Sequence, residues 1–298
     1  MPQIFSGTSN TCTLLGYVLI IYIVNMTLKN KGVDIMSNNT ITPEADYIPV
    51  EAIYTTELTQ LEAPMARGAI IRVYQNYIPW FGENRNNATL LFLGKILGTD
   101  YFIHPMRDLA IGIPCNTAVV LIPSNSEGSA VTAAEENDPQ AQANLKSFAR
   151  AGGVLIIDMG DNLSSGGFIA PGAKGTPDYV FPDPCRDVTL THKALKHPFS
   201  KCPIQLNNDN IDMECGCSVA HGNLEQGITL PRDTTVLMTA TFDNIQRAVL
   251  AEYCFGCGHV ILDTLTKEFI CQQPQGTGPS NILVNLFSYA LCILAARK

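Results

Sequence analysis

Two short apolar runs, residues 118–124 (AVVLIPS) and 154–158 (VLIID), flank one amphipathic stretch, and this order constrains the fold more than any other feature of the chain. Continuous runs this short, rich in Val and Ile, suit strands buried on both faces, as in a parallel sheet. Between them, residues 140–151 (QAQANLKSFARA) place Leu145, Phe148 and Ala149 on one helical face. Pro139 can open that helix, because the first helical turn needs no N–H from it. Gly152 and Gly153 stop it. Strand, helix, strand with short links implies a parallel sheet with right-handed crossovers.

The flanking segments extend the pattern. Residues 68–75 (GAIIRVYQ) read as a strand, 88–97 (ATLLFLGKIL) as a helix closed by Gly98, and 101–103 (YFI) as a short strand. Residues 125–138 form a polar loop, and 160–184, rich in Gly, Pro and Ser, are expected to be a long surface loop. Then come 188–199 (VTLTHKALKHPF), 234–241 (TTVLMTAT), 247–253 (RAVLAEY) and 259–265 (HVILDTL). The last two, joined by Cys254-Phe255-Gly256-Cys257-Gly258, read as a β-hairpin. Residues 281–297 form a strongly apolar helix. The predicted fold is α/β: a flavodoxin-like layered sheet over residues 68–298, mostly parallel, with helices on both faces and a late β-hairpin.

The first 67 residues are different. Residues 14–24 (LLGYVLIIYIV) are solidly apolar but shorter than the roughly 20 residues a bilayer-spanning helix needs. Their length suits the core of a signal peptide, yet no Lys or Arg precedes them. Lys29 and Lys31 follow, which would hold the next segment on the cytoplasmic side if the run anchors. Met36 begins a polar stretch, so residues 1–35 are either an apolar leader or a start-site artefact. The expected location is cytoplasmic if translation starts at Met36, and membrane-anchored or secreted otherwise. Residues 36–67 read as an extended polar arm interrupted by Pro43, Pro49 and Pro64.

Of the 298 residues, 46% are hydrophobic and 15% charged, which supports a sizeable core and excludes a disordered chain. The net charge of -8, with no basic stripe, argues against nucleic acid, whose phosphates require clustered Lys and Arg. The expected partner is a small molecule, a sugar or another protein. Membrane contact arises only if residues 14–24 are a true anchor. No cofactor is called for.

Several segments together resemble the class I glutamine amidotransferase-like superfamily over roughly residues 68–290. They are AVVLIPSNSEG with its Pro-Ser turn, LKSFARAGGVLIIDMGDN with its Gly-Gly stop, THKALKHPF, and AVLAEYCFGCGHVILDTLTKE with its late hairpin. The resemblance implies a strand ending in a nucleophile elbow, Gly-x-Cys-x-Gly, whose strained turn exposes a thiol at a helix N-terminus. The matching stretch here is Ile156-Ile157-Asp158-Met159-Gly160, with Asp158 in the place of the cysteine. A carboxylate cannot form the thioester of glutamine hydrolysis. The late His-x-Glu pair is missing too: Thr266-Lys267-Glu268 occupies its approximate region, and His259 comes earlier. The expected function is therefore that of a non-catalytic domain acting as a binding or structural module. The alternative is a hydrolase-type enzyme using Asp158 and nearby polar residues. A carbohydrate-associated domain is a third reading, by analogy alone.

The expected ligand site joins two turns. Asp158, Asp161 and Asn162 follow one strand, and Ser124, Asn125, Ser126 and Glu127 follow its neighbour, at the sheet edge where α/β proteins bind ligands. Helix capping is the simpler account of the first group, since Asp and Asn satisfy the first backbone N–H groups of a helix. Cys254 and Cys257 have the spacing of a zinc pair, with His221 and His259 as companions, whereas Cys215 and Cys217 are one residue too close. A hairpin turn, a disulfide or free thiols explain the same residues without metal. His192 and His197 read as turn residues with a packed ring. The ten cysteines are expected to be mainly buried thiols acting as small hydrophobes.

Overall fold

In a computed structural model of the chain, the helix expected after Pro139 is α2, Pro139–Arg150. Asp138 caps it by accepting hydrogen bonds from the Gln140 and Ala141 amides at 2.7 and 2.9 Å, an arrangement worth about 1 kcal/mol. Ala141, Leu145 and Ala149 form its buried stripe. The structure describes residues 70–76, 100–123, 138–160, 170–178, 188–201, 203–211, 220–265, 267 and 277–296. All of them belong to one unit that runs from Pro49 to Lys298. The apolar run at 14–24, the polar arm and the helix expected at 88–97 lie outside the described residues.

The strands are β1 (Ile70–Tyr74), β2 (Asp100–His104), β3 (Thr117–Ile122), β4 (Val154–Asp158), β5 (Lys174–Gly175), β6 (Thr189–Leu190), β7 (Ile228–Thr229), β8 (Thr235–Phe242), β9 (Ile245–Phe255) and β10 (Gly258–Asp263). The helices besides α2 are α1 (Asp108–Ile111) and α3 (Thr277–Ala295). Eight strands form one sheet in the order β2-β1-β3-β4-β10-β9-β8-β6. The first five are mutually parallel, in the 2-1-3-4-5 order of flavodoxin-like sheets. β9, β8 and β6 then add antiparallel. The architecture is α/β and flavodoxin-like, as the sequence predicts.

Alternation along the central strands builds two cores, because successive side chains point to opposite faces. Val119, Leu121, Val154, Ile156 and Ile261 pack with Ile282, Leu286 and Phe287 of α3 on one face. Val120, Ile122, Leu155, Ile157, Val260 and Leu262 pack with Leu145 and Ala149 of α2 on the other. Each fully buried large apolar side chain contributes about 1.5–3 kcal/mol. No helix among the described residues is long and apolar enough to cross a membrane.

The late hairpin is β9–β10. Its turn places Gly256 at φ 66°, as the first central residue of a type II′ turn requires, and a Cβ there would lie 2.6 Å from the Arg150 Cα. A second hairpin, β8–β9, turns through Asp243 and Asn244 at φ 49° and 62°, the left-handed pair of a type I′ turn. Two expectations need correcting. The segment 160–184 is not simply a surface loop: Ala170, Pro171 and Ala173 are buried, and β5 pairs with β7 in a small second sheet. Tyr253 holds this segment down by donating its hydroxyl to the Pro171 carbonyl at 2.7 Å. The described cysteines are not buried hydrophobes either. Cys115, Cys254 and Cys257 are exposed thiols outside any disulfide, and Cys292 is half-buried. Cys115 and Cys257 fall in turns and Cys254 near a strand end, where the sheet leaves no room to enclose them, and Cys292 lies on α3.

Candidate functional site

β4 and β10 are parallel neighbours, and their register sets Asp158 directly beside Asp263 at the carboxyl ends of both strands. Two carboxylates so placed repel each other unless a cation lies between them. Lys267, four residues beyond Asp263, supplies it. Its Nζ donates to Asp158 Oδ2 at 2.9 Å and to Asp263 Oδ1. All three side chains are almost fully buried, with exposures of 4, 0 and 1% for Asp158, Asp263 and Lys267. Burying ions costs several kcal/mol each, and the mutual attraction offsets this only with close geometry and further hydrogen bonds. Both are present. Asp158 Oδ1 accepts the Gly160 amide at 2.9 Å, and Asp263 Oδ1 accepts the Leu265 amide at 3.1 Å.

The turn after β4 is therefore filled. The Met159 amide donates to the Asp263 carbonyl at 2.6 Å, and the Gly160 amide is held by Asp158 itself. These are the two amides nearest the strand end, where an oxyanion would need donors. Among the described residues, the only non-glycine positions with positive φ are Asp243 and Asn244, so neither Asp158 nor Met159 carries the strain of a nucleophile elbow.

Of the residues expected at this edge, Asp158 is described and lies at the strand end as predicted. Asp161, Asn162, Ser124, Asn125, Ser126 and Glu127 lie outside the described residues. Lys267 and Asp263 belong to the site but not to the sequence expectation. Their four-residue spacing was visible. Their pairing with Asp158, more than 100 residues upstream, depends on β10 inserting next to β4.

A second polar cluster lies near the other end of β10. Glu252 on β9 is buried at 6% exposure. Its Oε1 is 3.0 Å from His197 Nε2 and accepts the Tyr289 hydroxyl at 3.1 Å. Its Oε2 is 3.0 Å from His259 Nε2, close enough for charge pairing. Burial pushes the Glu252 carboxyl up, but the hydrogen bonds and charges of His197 and His259 outweigh it and bring it down to about 2. Burial and the Glu252 charge push the Tyr289 phenol up, so it stays protonated and donates. His197 does have the packed ring expected of it: it meets Tyr289 edge-on at 4.9 Å between centroids, and its Nδ1 accepts the Phe199 amide. Its Glu252 partner was not foreseen. His192 is exposed. Cys254 lies opposite His259 in the β9–β10 register, and Cys257 is in the turn. Among the described residues, no group of three or more His, Cys, Asp or Glu side chains could hold a metal ion, so Cys254 and Cys257 do not assemble a zinc set there. Cys215 and Cys217 lie outside the described residues.

No family model matches the chain, and no curated protein matches it in sequence. Solved structures with a related chain path include a cytoplasmic protein from Salmonella typhimurium LT2, at 14% identity and a TM-score of 0.47, covering 76% of this chain and 98% of that one. A glutamine amidotransferase from Thermotoga maritima is similar at 10% identity and a TM-score of 0.41, covering 75% and 98%. A β-galactosidase from Bacillus circulans sp. alkalophilus is similar at 15% identity and a TM-score of 0.43, covering 77% of this chain but 31% of the galactosidase. A glutamine amidotransferase thus stands, at low identity, among the distant structural neighbours of this chain.

Proposed function

We propose that this chain is a non-catalytic amidotransferase-like α/β domain that acts as a binding or structural module. The observation that carries the reading is the filled turn after β4. Asp158 stands where the resemblance puts a nucleophilic cysteine, and Lys267 stands in the region of the missing histidine. The two form a buried ion pair that also engages Asp263. A nucleophile must reach its substrate and needs donors for the charge it creates. Asp158 is 4% exposed, and both nearby amides are already engaged. The pair supports a role in joining β4 to β10 rather than in turnover.

The partner of such a module is a small molecule, a sugar or a protein. Its place is the carboxyl edge of the parallel strands, beside the β1/β3 switch in strand order where flavodoxin-like sheets bind ligands. The test is a screen of the purified protein against amide and ester substrates, alongside Asp158→Asn. No turnover above blank is expected from either protein. Turnover that disappears with Asp158→Asn would overturn the reading in favour of a hydrolase acting through Asp158.

A further inference from the structure

We propose that Cys254 is a peroxide-reactive thiol, activated by His259 and Glu252, at the edge of the sheet opposite Asp158. The hairpin register builds the arrangement. The turn of Gly256 and Cys257 pairs Phe255 with Gly258, and the next pair outward is Cys254 with His259. The His259 amide points away from β9 and donates to the Gly153 carbonyl of the segment entering β4, at 3.1 Å. Cys254 and His259 are thus a non-hydrogen-bonded cross-strand pair, the kind whose side chains approach most closely. Cys254 Sγ lies 3.8 Å from His259 Nδ1, within reach of an S–H···N bond.

Glu252 is two residues before Cys254 on the same strand, so it shares that face of the sheet. Its Oε2 sits 3.0 Å from His259 Nε2. A carboxylate there places the imidazole proton on Nε2 and leaves Nδ1 to accept the thiol proton. Glu252 is itself held on its other oxygen by His197 and Tyr289. Nucleophile, base and orienting carboxylate thus stand in sequence, and loose alignment between such groups is common before a substrate is bound. The thiol at the head of the relay is exposed, while the carboxylate at its foot is buried.

The surroundings select the electrophile. The cleft of about 490 Å³ near this sheet edge is lined by Cys115, Asn144, Phe148 and Gly153 among others, and Cys254 is not part of its wall. The neighbouring amides of β9 and β10 serve the ladder, so among the described strand residues none offers the donor pair that acyl transfer requires. Cleavage of an O–O bond requires less: a thiolate and a proton for the leaving oxygen. Cys254 passes its proton to His259, and the sulfur attacks one oxygen of a hydroperoxide. An S–O bond forms as the O–O bond breaks, and the leaving oxygen takes the proton from His259. The thiol becomes a sulfenic acid, oxidised by two electrons, and the hydroperoxide becomes water or an alcohol.

The test treats the purified full-length protein with hydrogen peroxide in the presence of a dimedone-type trap and reads each cysteine by peptide mass spectrometry. Cys254 is expected to be trapped about tenfold or more faster than Cys115, an exposed thiol that serves as internal reference. His259→Gln should bring Cys254 to the Cys115 rate, with an unchanged circular-dichroism spectrum showing that the fold is retained. Because that variant can fail to fold, haloacetamide alkylation of the wild-type protein at one neutral pH gives a second reading. Cys254 should be alkylated faster than Cys115, and Glu252→Gln should slow the first without changing the second. Equal trapping of Cys254 and Cys115 in the wild-type protein, or Cys254 trapping that persists in a folded His259→Gln protein, would overturn the proposal.

Discussion

β10 carries a polar cluster near each end, and the two are built in opposite ways. Near the carboxyl end, Asp263, Asp158 and Lys267 are sealed from solvent, and the cation sits between two carboxylates. Near the amino end, Glu252 is buried and His259 half-buried, and their chain of contacts runs outward to an exposed thiol. Four residues separate Asp263 from His259, about 13 Å of strand. The ion pair lies where five parallel strands and the chain beyond β10 close over it. The relay lies on the antiparallel β9–β10 hairpin, whose turn leaves its outer pairs near solvent. A buried charge with all its partners inside serves packing. One whose partners lead to the surface is poised to exchange protons.

The largest expected effect comes from Lys267→Met, which leaves two buried carboxylates facing each other. A loss of about 3–5 kcal/mol in urea unfolding is expected, because removing one partner of a buried ion pair strands the other. A loss under about 1 kcal/mol would show the carboxyl end to be no more closed than the amino end. Gly258→Ala is next. Its Cβ would meet the Ala149 carbonyl oxygen at 1.9 Å, so the hairpin must shift away from α2, at a cost of about 2–3 kcal/mol in the same measurement. Little loss there would mean that the hairpin carrying the relay is looser than the sheet beneath it.

The effect of pH distinguishes the ends further. Glu252 is held down to about 2 in the fold against 4.5 ordinarily, so between these values the unfolded chain binds the proton more readily. The stabilisation is fully present above about 4.5 and is lost as pH falls through about 2. The melting temperature of Glu252→Gln should therefore lack this component of the acid dependence. Identical profiles for the two proteins would show that His197 and His259 do not hold the carboxylate. The smallest effect is expected from Tyr289→Phe, which removes one of the contacts to Glu252 Oε1 and should cost about 1 kcal/mol. A loss several times larger would make Tyr289, rather than the histidines, the principal support of Glu252.

Much of the fold was legible because its signals are local. Residues 154–158 match β4 at both ends, Pro139 opens α2, and Gly256 turns the late hairpin. The segment 160–184 was misread because its Gly and Pro content describes a backbone without regular structure and says nothing about burial. What buries it is contact with Tyr253, a distant residue. The four described cysteines were misread because an apolar neighbourhood in sequence is not one in space. At the candidate site, Asp158 was legible from its place at a strand end. The Glu252–His259 approach was within reach as well: once the hairpin register is drawn, Cys254 must face His259, and Glu252 must share their side.

By itself, the sequence determined the central strands β3 and β4, the helix α2 between them and the late hairpin, since each follows from side-chain periodicity and the backbone limits of a few neighbouring residues. It also determined that a carboxylate, not a thiol, ends β4. The tertiary structure alone decided what that carboxylate does. β10 inserts beside β4 across more than 100 residues of chain, which brings Asp263 and Lys267 to Asp158 and seals it. Low dielectric and the loss of water then make the three charges depend on one another. The same insertion sets His259 over the edge of β4 and turns the other end of the strand outward, with Cys254 at the surface.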